Sequence, residues 1–404
     1  MKPLHFYFAG TGSWFLAFGI QSVVFAWLVT IVLNESPDKV GFAQMALLLP
    51  SMLFMLVGGS LADHYGGRRL AMLGQTAAAF APLYLTAVVV LGQLTFFKLI
   101  VFAVLMGIAQ ALVTPARDGL LALVADGQIQ RRVLQASMTQ FGMQMVGFFI
   151  ASYADTTGAV FILLLQSAVL ASGVLAYYRL DVPTLPHWQG SPGLATQLQR
   201  SIVEGFRSVR ASPLMSAVVA QNCAMGIFFM GSYIVTLPLV VRDVYGGSSQ
   251  ELAWLNIANS LGLVLIILLL LRFGEIARKG RALLAAHLTG SLMLASAGLG
   301  LGFVSVVVSI FAWGMCGGVA MTMSRTIMQE QSPPDQRARM MAFFSFSFMG
   351  SGPVGALFSG YLCRWIGPSN ALIVSSFFML MVIVTMIIRS SLWQATSPEH
   401  TVAR

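Results

Sequence analysis

The carboxylates of this sequence that can carry a proton stand at the ends of long apolar stretches. Asp118, Asp155 and Glu330 occupy such ends, and no charged side chain lies near the middle of an apolar stretch. A carboxylate that exchanges a proton near neutral pH needs a pKa raised by burial. Asp118 adjoins Arg117, which favours the ionised form, whereas Asp155 has no basic neighbour in sequence. We therefore predict Asp155 as the first candidate, with Asp118 and Glu330 as alternatives.

The interiors of the apolar stretches carry amide and aromatic side chains. They include Trp14, Gln21, Gln110, Gln221, Asn222, Tyr233 and Trp313. An amide can bind a polar ligand or bond to a neighbouring helix, and the second interaction is worth about 0.6 kcal/mol. Both interpretations stay open for each amide. Because no central acid attracts cations, a site made of these residues should prefer neutral, zwitterionic or anionic ligands.

Nothing in the residue pattern indicates an enzyme. The five histidines are scattered, and Cys223, Cys316 and Cys363 stand singly with no paired spacing. The sequence contains no HExxH, GxSxG or GxxxxGK[ST] motif, which would indicate metalloprotease, hydrolase or nucleotide chemistry. We therefore expect no catalytic residue, no metal site and no cofactor.

The composition indicates that these residues lie in a membrane protein. Of 404 residues, 57% are hydrophobic and only 9% are charged, which exceeds what a soluble core needs. With about 20 residues per span, the apolar runs predict an all-α integral membrane fold with twelve transmembrane helices. The predicted spans are 10–32, 41–61, 70–91, 96–115, 134–154, 160–178, 214–240, 252–273, 281–303, 304–328, 340–362 and 371–388.

Basic residues are distributed unevenly over the predicted loops. If the loop 63–69 is cytoplasmic, only Lys39, Lys98, Arg242 and Arg364 among the basic residues near span ends lie outside. This positive-inside pattern predicts that both termini are cytoplasmic. The net charge of +9 then reflects topology, so we expect contact with membrane lipids and no nucleic-acid partner.

A dense polar stretch separates the second and third predicted spans. Residues 58–69 read Gly-Gly-Ser-Leu-Ala-Asp-His-Tyr-Gly-Gly-Arg-Arg. This order resembles the loop signature of the major facilitator superfamily. The resemblance implies a conformational latch formed by Gly59, Asp63, Gly66, Arg68 and Arg69. It also implies that Asp63 faces the start of the eleventh span, near Met340.

The sequence repeats itself at half length. Residues 274–281 are a worn copy of 59–68, and residues 322–325 echo 114–117. Such repeats are typical of transporters built from two six-helix halves. The sequence therefore predicts two pseudo-symmetric six-helix bundles joined by a polar linker with an amphipathic helix. The predicted boundaries are 1–178 for the first bundle, 179–213 for the linker and 214–404 for the second bundle.

Further motifs resemble the drug and siderophore exporter branch of that superfamily. They include Pro-Ala-Arg at 115–117 and Gly-Pro-Val-Gly at 352–355. The branch implies a secondary active transporter that exports a small amphiphilic molecule by alternating access, in a bacterial cytoplasmic membrane. In such proteins the first, fourth, seventh and tenth spans line the substrate cavity, which implies a cavity role for the seven interior residues above.

The same resemblance implies coupling to protons, but two features of proton antiporters are absent. Ala103 stands where an arginine precedes Gly107, and Phe148 follows Gly147 in place of proline. We expect a monomer with a small-molecule substrate. An importer or a lysolipid flippase of the same fold is the alternative function, and a non-transporting membrane sensor is a further one.

Overall fold

The computed structural model describes residues 3–124, 129–182, 207, 209–273, 276, 278–332 and 337–394. Within these ranges the chain forms twelve long helices and no strand. They are α1 (Pro3–Trp27), α2 (Pro37–Tyr65), α3 (Gly67–Val90), α4 (Phe96–Val124), α5 (Ile129–Ala151), α6 (Ala159–Tyr178), α7 (Pro213–Asp243), α8 (Ser249–Phe273), α9 (Lys279–Ala297), α10 (Phe303–Gln331), α11 (Arg337–Ile366) and α12 (Pro368–Arg389). Eight of these described helices are long and apolar enough to cross a membrane.

Several helices are longer than the apolar runs that predicted them. α1 begins at Pro3, where residue 10 was predicted, and α5 begins at Ile129, where residue 134 was predicted. In α5 the added turn contains Gln130, Arg131 and Arg132, and helical hydrogen bonding continues through such a polar turn where hydropathy does not. The predicted linker helix lies almost wholly outside the described residues.

Two helices contain wide π-helical turns that the sequence analysis did not predict. α1 continues into a π-helical turn at Leu28–Val32, and α7 contains two, at Met225–Met230 and Ser232–Thr236. Such turns are rare and occur often at functional sites. In contrast, Pro353 leaves α11 continuous from Arg337 to Ile366.

The chain divides into two compact units. Unit 1 comprises Met1–Gly190 and Gly246–Ile257, and unit 2 comprises Ser191–Tyr245 and Ala258–Arg404. Each unit consists of helices that pack closely against one another.

In unit 1, glycines permit close helix crossings. A Cβ added at Gly19 of α1 would collide with the Gln144 carbonyl of α5, and one at Gly147 would collide with the Leu16 carbonyl. A Cβ at Gly107 of α4 would likewise collide with the Leu47 carbonyl of α2. Small residues at membrane helix crossings let the backbones approach and pack.

Unit 2 uses the corresponding helix pairs. A Cβ added at Gly231 of α7 would collide with the Gly355 carbonyl of α11, and one at Gly314 of α10 would collide with the Asn259 carbonyl of α8. The pairs α7 with α11 and α8 with α10 thus match α1 with α5 and α2 with α4.

Candidate functional site

In unit 1, three of the predicted binding residues line one cleft. Trp14 and Gln21 of α1 face it together with Gln110 of α4. Its remaining lining residues are Ala17, Phe18, Met106 and Leu170. Trp14, Phe18 and Gln21 follow one another at three to four residue intervals, which places them on one face of α1.

The chemistry of this cleft is that of an amide and aromatic binding surface. None of its seven lining residues is charged. The side chain of Gln21 is only 4% exposed, and its Oε1 has no hydrogen-bond partner within the described residues. A buried amide oxygen without a donor is costly, so a ligand that donates a hydrogen bond there is stabilised.

In unit 2, the predicted binding amides Gln221 and Asn222 bond to neighbouring helices. Asn222 donates from Nδ2 to the Phe344 carbonyl at 3.0 Å and to Ser347 Oγ at 2.8 Å. Gln221 Nε2 lies 2.9 Å from Nδ1 of His287. Both amides are buried. Asn222 therefore ties α7 to α11, and the interhelical interpretation holds for it because both of its amide hydrogens are used.

Aromatic packing brings the other two predicted residues of unit 2 together. The rings of Tyr233 and Trp313 have centroids 5.9 Å apart, and Trp313 packs edge-to-face on Phe229 at 5.5 Å. Tyr233 and Phe229 both lie in the π-helical part of α7. The wide turns thus present two aromatic side chains to α10.

The predicted latch lies at the junction of α2 and α3. Gly66 joins these helices with a φ of +86°, a backbone conformation that residues with a side chain rarely adopt. Arg68 donates from Nε to the Tyr177 carbonyl at 3.0 Å and from Nη2 to the Tyr178 carbonyl. It therefore caps the last turn of α6. Gly59 lies within α2, Arg69 is exposed, and the Asp63 side chain lies outside the described residues.

Comparisons with known proteins identify the family. A family model described as transmembrane secretion effector matches residues 7–402. This match covers nearly the whole chain. The chain belongs to the major facilitator superfamily. It lies in the drug and siderophore exporter branch, and it is a transporter, not an enzyme.

Several curated relatives and solved structures are similar to this transporter along most of its length. The enterobactin exporter EntS of Escherichia coli (strain SMS-3-5 / SECEC) is 24% identical over 357 residues, which cover 86% of this chain and 83% of EntS. The uncharacterized MFS-type transporter YfiS of Bacillus subtilis (strain 168) is 23% identical over 381 residues, covering 89% and 87%.

Two solved structures share the fold at low identity. The nucleoside transporter NupG has a TM-score of 0.72 at 14% identity, covering 96% of this chain and 99% of NupG. A POT family transporter has a TM-score of 0.75 at 14% identity, covering 95% of this chain and 94% of the other.

In this transporter, two of the three candidate proton carriers pair with bases. Asp118 is exposed, and its Oδ1 accepts from Nη2 of Arg117 at 3.2 Å. Glu330 pairs with Lys279, whose side chain is buried. Each of these two carboxylates is thus one partner of an ion pair.

Asp155, the first candidate, is exposed and accepts several hydrogen bonds within unit 1. Trp27 Nε1 donates to Oδ1 and the Ser249 backbone N–H donates to Oδ2, each at 2.7 Å. Burial alone raises the pKa of Asp155, but bonds from Ser249, Trp27 and Ser248 outweigh it and hold the pKa below its usual 3.8. These bonds favour the ionised form of Asp155, and the sequence did not show their distant donors.

One buried ionisable residue, His287 of α9, was not predicted as a site residue from the sequence. Its side chain is only 2% exposed, and it bonds to Gln221 of α7. The signal was available, since an ionisable residue inside a predicted span is a candidate functional residue. Within the described part of the chain, no group of His, Cys, Asp and Glu residues is placed to hold a metal ion.

Proposed function

We propose that this transporter exports a small amphiphilic molecule of the siderophore class across the cytoplasmic membrane by alternating access, driven by the proton gradient. Both termini face the cytoplasm, and the protein acts as a monomer. The relatives named enterobactin exporter support this substrate class. The positive-inside pattern of the sequence supports the orientation.

The uncharged cleft in unit 1 carries this proposal. Trp14 and Phe18 offer ring faces against which a catechol ring can pack. Gln21 and Gln110 offer amide groups that can bond to hydroxyl or carboxylate oxygens. Because the cleft has no carboxylate, it gives a cationic dye no counter-charge.

The test is substrate efflux from proteoliposomes with and without an imposed pH gradient. The probes are enterobactin, as a catecholate siderophore, and ethidium, as a cationic dye. We expect gradient-driven movement of enterobactin and little movement of ethidium. Gln21→Leu and Gln110→Leu should each lower enterobactin flux by about tenfold, which corresponds to the loss of one buried hydrogen bond.

Gln93→Leu is the matched control, because Gln93 is an exposed amide between α3 and α4. It should retain wild-type flux. Strong ethidium export would contradict the substrate class. Movement of a fluorescent lysolipid in place of enterobactin would indicate the flippase alternative, and absence of flux for every probe would favour a non-transporting sensor.

A further inference from the structure

His287 lies in the interior of unit 2, away from the ends of its helix. It follows Lys279, the first residue of α9, by eight positions, which is about 12 Å along the helix. Among the other described histidines, His5 and His64 are exposed. His287 is thus a buried imidazole in a helix that the sequence predicts to span the membrane, where an ionisable group usually has a function.

The ring nitrogen Nδ1 of His287 faces one hydrogen-bond donor and one acceptor. Nδ1 lies 2.9 Å from the Gln221 amide nitrogen, a donor, and 3.1 Å from the Leu283 carbonyl oxygen, an acceptor, so the amide donates to the Nδ1 lone pair when Nδ1 is unprotonated. The proton of a neutral ring then resides on Nε2. Both His287 Nε2 and Gln221 Oε1 are buried and have no partner within the described residues. Each half of the pair therefore retains an unused hydrogen-bonding atom.

Proton binding at Nδ1 would reverse this hydrogen bond. The ring would then carry N–H groups on both nitrogens, and the new Nδ1–H would need an acceptor. The Leu283 carbonyl already lies 3.1 Å from Nδ1. Rotation of the Gln221 amide by half a turn would also present its unused Oε1 to Nδ1–H. Loss of the proton restores the first arrangement, so the pair has two hydrogen-bonded states that differ by one proton.

The surroundings connect this pair to the aromatic cluster of α7 and α10. The Phe229 ring lies 6.0 Å from the His287 ring and 5.5 Å from Trp313, which in turn packs on Tyr233. Gln221 lies four residues before Met225, where the first π-helical turn of α7 begins. A change in the charge of His287 would therefore occur close to the π-helical turns of α7 and to the aromatic cluster that contains Trp313 and Tyr233.

The ionisable groups on the elements around His287 are few. The described ones nearest the helix interiors are the thiols of Cys223 and Cys316 and the phenol of Tyr233. Those at the helix ends are Arg242, Asp243, Lys279, Arg281, Arg325, Glu330 and Arg389. Lys279 pairs with Glu330, and Arg281 stacks on Trp393. The bonds to the His287 ring come from Gln221 and Leu283.

We propose that His287 is the residue that takes up and releases the coupled proton, and that Gln221 is the positioning residue that transmits its state to α7. This assignment rests on the proposed proton-driven export. In each cycle one proton binds to the Nδ1 lone pair and the same proton leaves it, so the ring returns to neutral.

The test separates coupling from substrate exchange. Proteoliposomes containing wild type, His287→Asn or Gln221→Met are assayed for enterobactin accumulation under a one-unit pH gradient and for enterobactin counterflow without a gradient. One proton per substrate corresponds to about tenfold accumulation in the wild type for that gradient. We expect His287→Asn to lose this accumulation and keep counterflow, and Gln221→Met to shift the pH profile of accumulation. His5→Asn is the control and should behave as wild type.

A second measurement does not depend on the stability of the variants. Wild type labelled with [13Cε1]histidine is titrated by NMR, and His287 is assigned by eliminating the other four histidines with asparagine variants. We expect the His287 signal to respond to pH, and its midpoint to move when enterobactin binds. A signal that does not titrate, or unchanged accumulation in His287→Asn, overturns the assignment. No gradient-driven flux in the wild type contradicts the proposed function, and the titration still decides whether His287 exchanges a proton.

Discussion

Trp27 and Asp155 are joined by a hydrogen bond of 2.7 Å from the indole Nε1 to the carboxylate Oδ1. Trp27 ends the regular part of α1, and Asp155 lies in the short helix Ala154–Thr157 that follows α5. The other carboxylate oxygen accepts from the backbone N–H of Ser249, at the start of α8. One carboxylate thus connects three segments that are far apart in sequence, and it does so in its ionised form.

This geometry predicts the pH range in which Asp155 stabilises the protein. Its folded pKa is lowered from 3.8, so its contribution is complete above that value and is lost as the pH falls through the lower folded pKa. The melting temperature difference between wild type and Asp155→Asn should therefore be constant from about pH 5 to 8 and shrink below about pH 4.

Thermal unfolding in detergent, followed across this range, measures the difference. Trp27→Phe keeps an aromatic ring and removes one hydrogen-bond donor to Asp155. Its melting temperature should therefore fall less than that of Asp155→Asn, over the same pH range. A difference that changes between about pH 6 and 8 would indicate a raised pKa and restore Asp155 as a proton carrier.

Arg68 should contribute more to stability than its neighbour Arg69. Arg68 donates to the last carbonyls of α6, whereas Arg69 is exposed. We expect Arg68→Gln to lower the free energy of unfolding by about 1 kcal/mol and Arg69→Gln to change it by much less. Denaturant unfolding of the two variants tests this. Equal losses would contradict a capping role for Arg68.

The crossing of α1 and α5 should tolerate no side chain at Gly19. The added Cβ of Gly19→Ala would collide with the Gln144 carbonyl, which cannot move without shifting α5. We expect a loss of about 1–3 kcal/mol. Gly142→Ala is the matched control on α5, because a Cβ there meets no atom within 4 Å. Similar melting temperatures for both variants would show that the helices separate easily.

The pair of Lys279 and Glu330 should be structural. Lys279 is only 4% exposed and pairs with Glu330. Glu330→Gln leaves the buried ammonium without its carboxylate, so we expect a loss of about 3 kcal/mol or less, since Glu330 is partly exposed. The double variant Lys279→Met, Glu330→Gln should regain most of this loss. A double variant as unstable as the single one would argue against charge as the cause.

The proposed topology is tested by cysteine labelling in intact cells. Asp181→Cys, after α6, should react only with a reagent that enters the cytoplasm, whereas Ser248→Cys, before α8, should react with an impermeant reagent from outside. Wild type is the control, since it supplies the background from Cys223, Cys316 and Cys363. Reaction of both positions from one side would contradict the proposed orientation.

Apolar runs predicted the helical class and the membrane location because burial in lipid demands continuous hydrophobicity. The same runs could not predict that α5 begins at Ile129, because residues 130–132 are polar. The cleft residues Trp14, Gln21 and Gln110 were found as polar side chains inside spans. Asn222 is also a polar side chain inside a predicted span, yet it bonds to α11. The sequence does not distinguish an amide that faces a cleft from one that faces a neighbouring helix.

Internal repetition predicted equivalent positions but not equivalent environments. Arg117 and Arg325 occupy matching places in the two halves of the sequence. Arg117 is buried with its guanidinium 4.5 Å from the Phe15 ring, whereas Arg325 is exposed. Phe15 comes from another helix, and its proximity depends on tertiary packing. A repeat in sequence therefore locates a residue along its helix without stating what surrounds it.

The π-helical turns of α7 are, in mechanical terms, dislocations in a regular lattice. Each holds one residue more than an α-helical turn. When such a turn moves along the helix, i→i+5 and i→i+4 backbone hydrogen bonds exchange places, and the number of hydrogen bonds stays constant. The helix is fixed at its start by Ser212 Oγ, which accepts from the Met215 N–H at 3.3 Å. Migration of such a dislocation past Phe229 would swivel this ring about the helix axis by about 100° while the first turn of α7 stays in place.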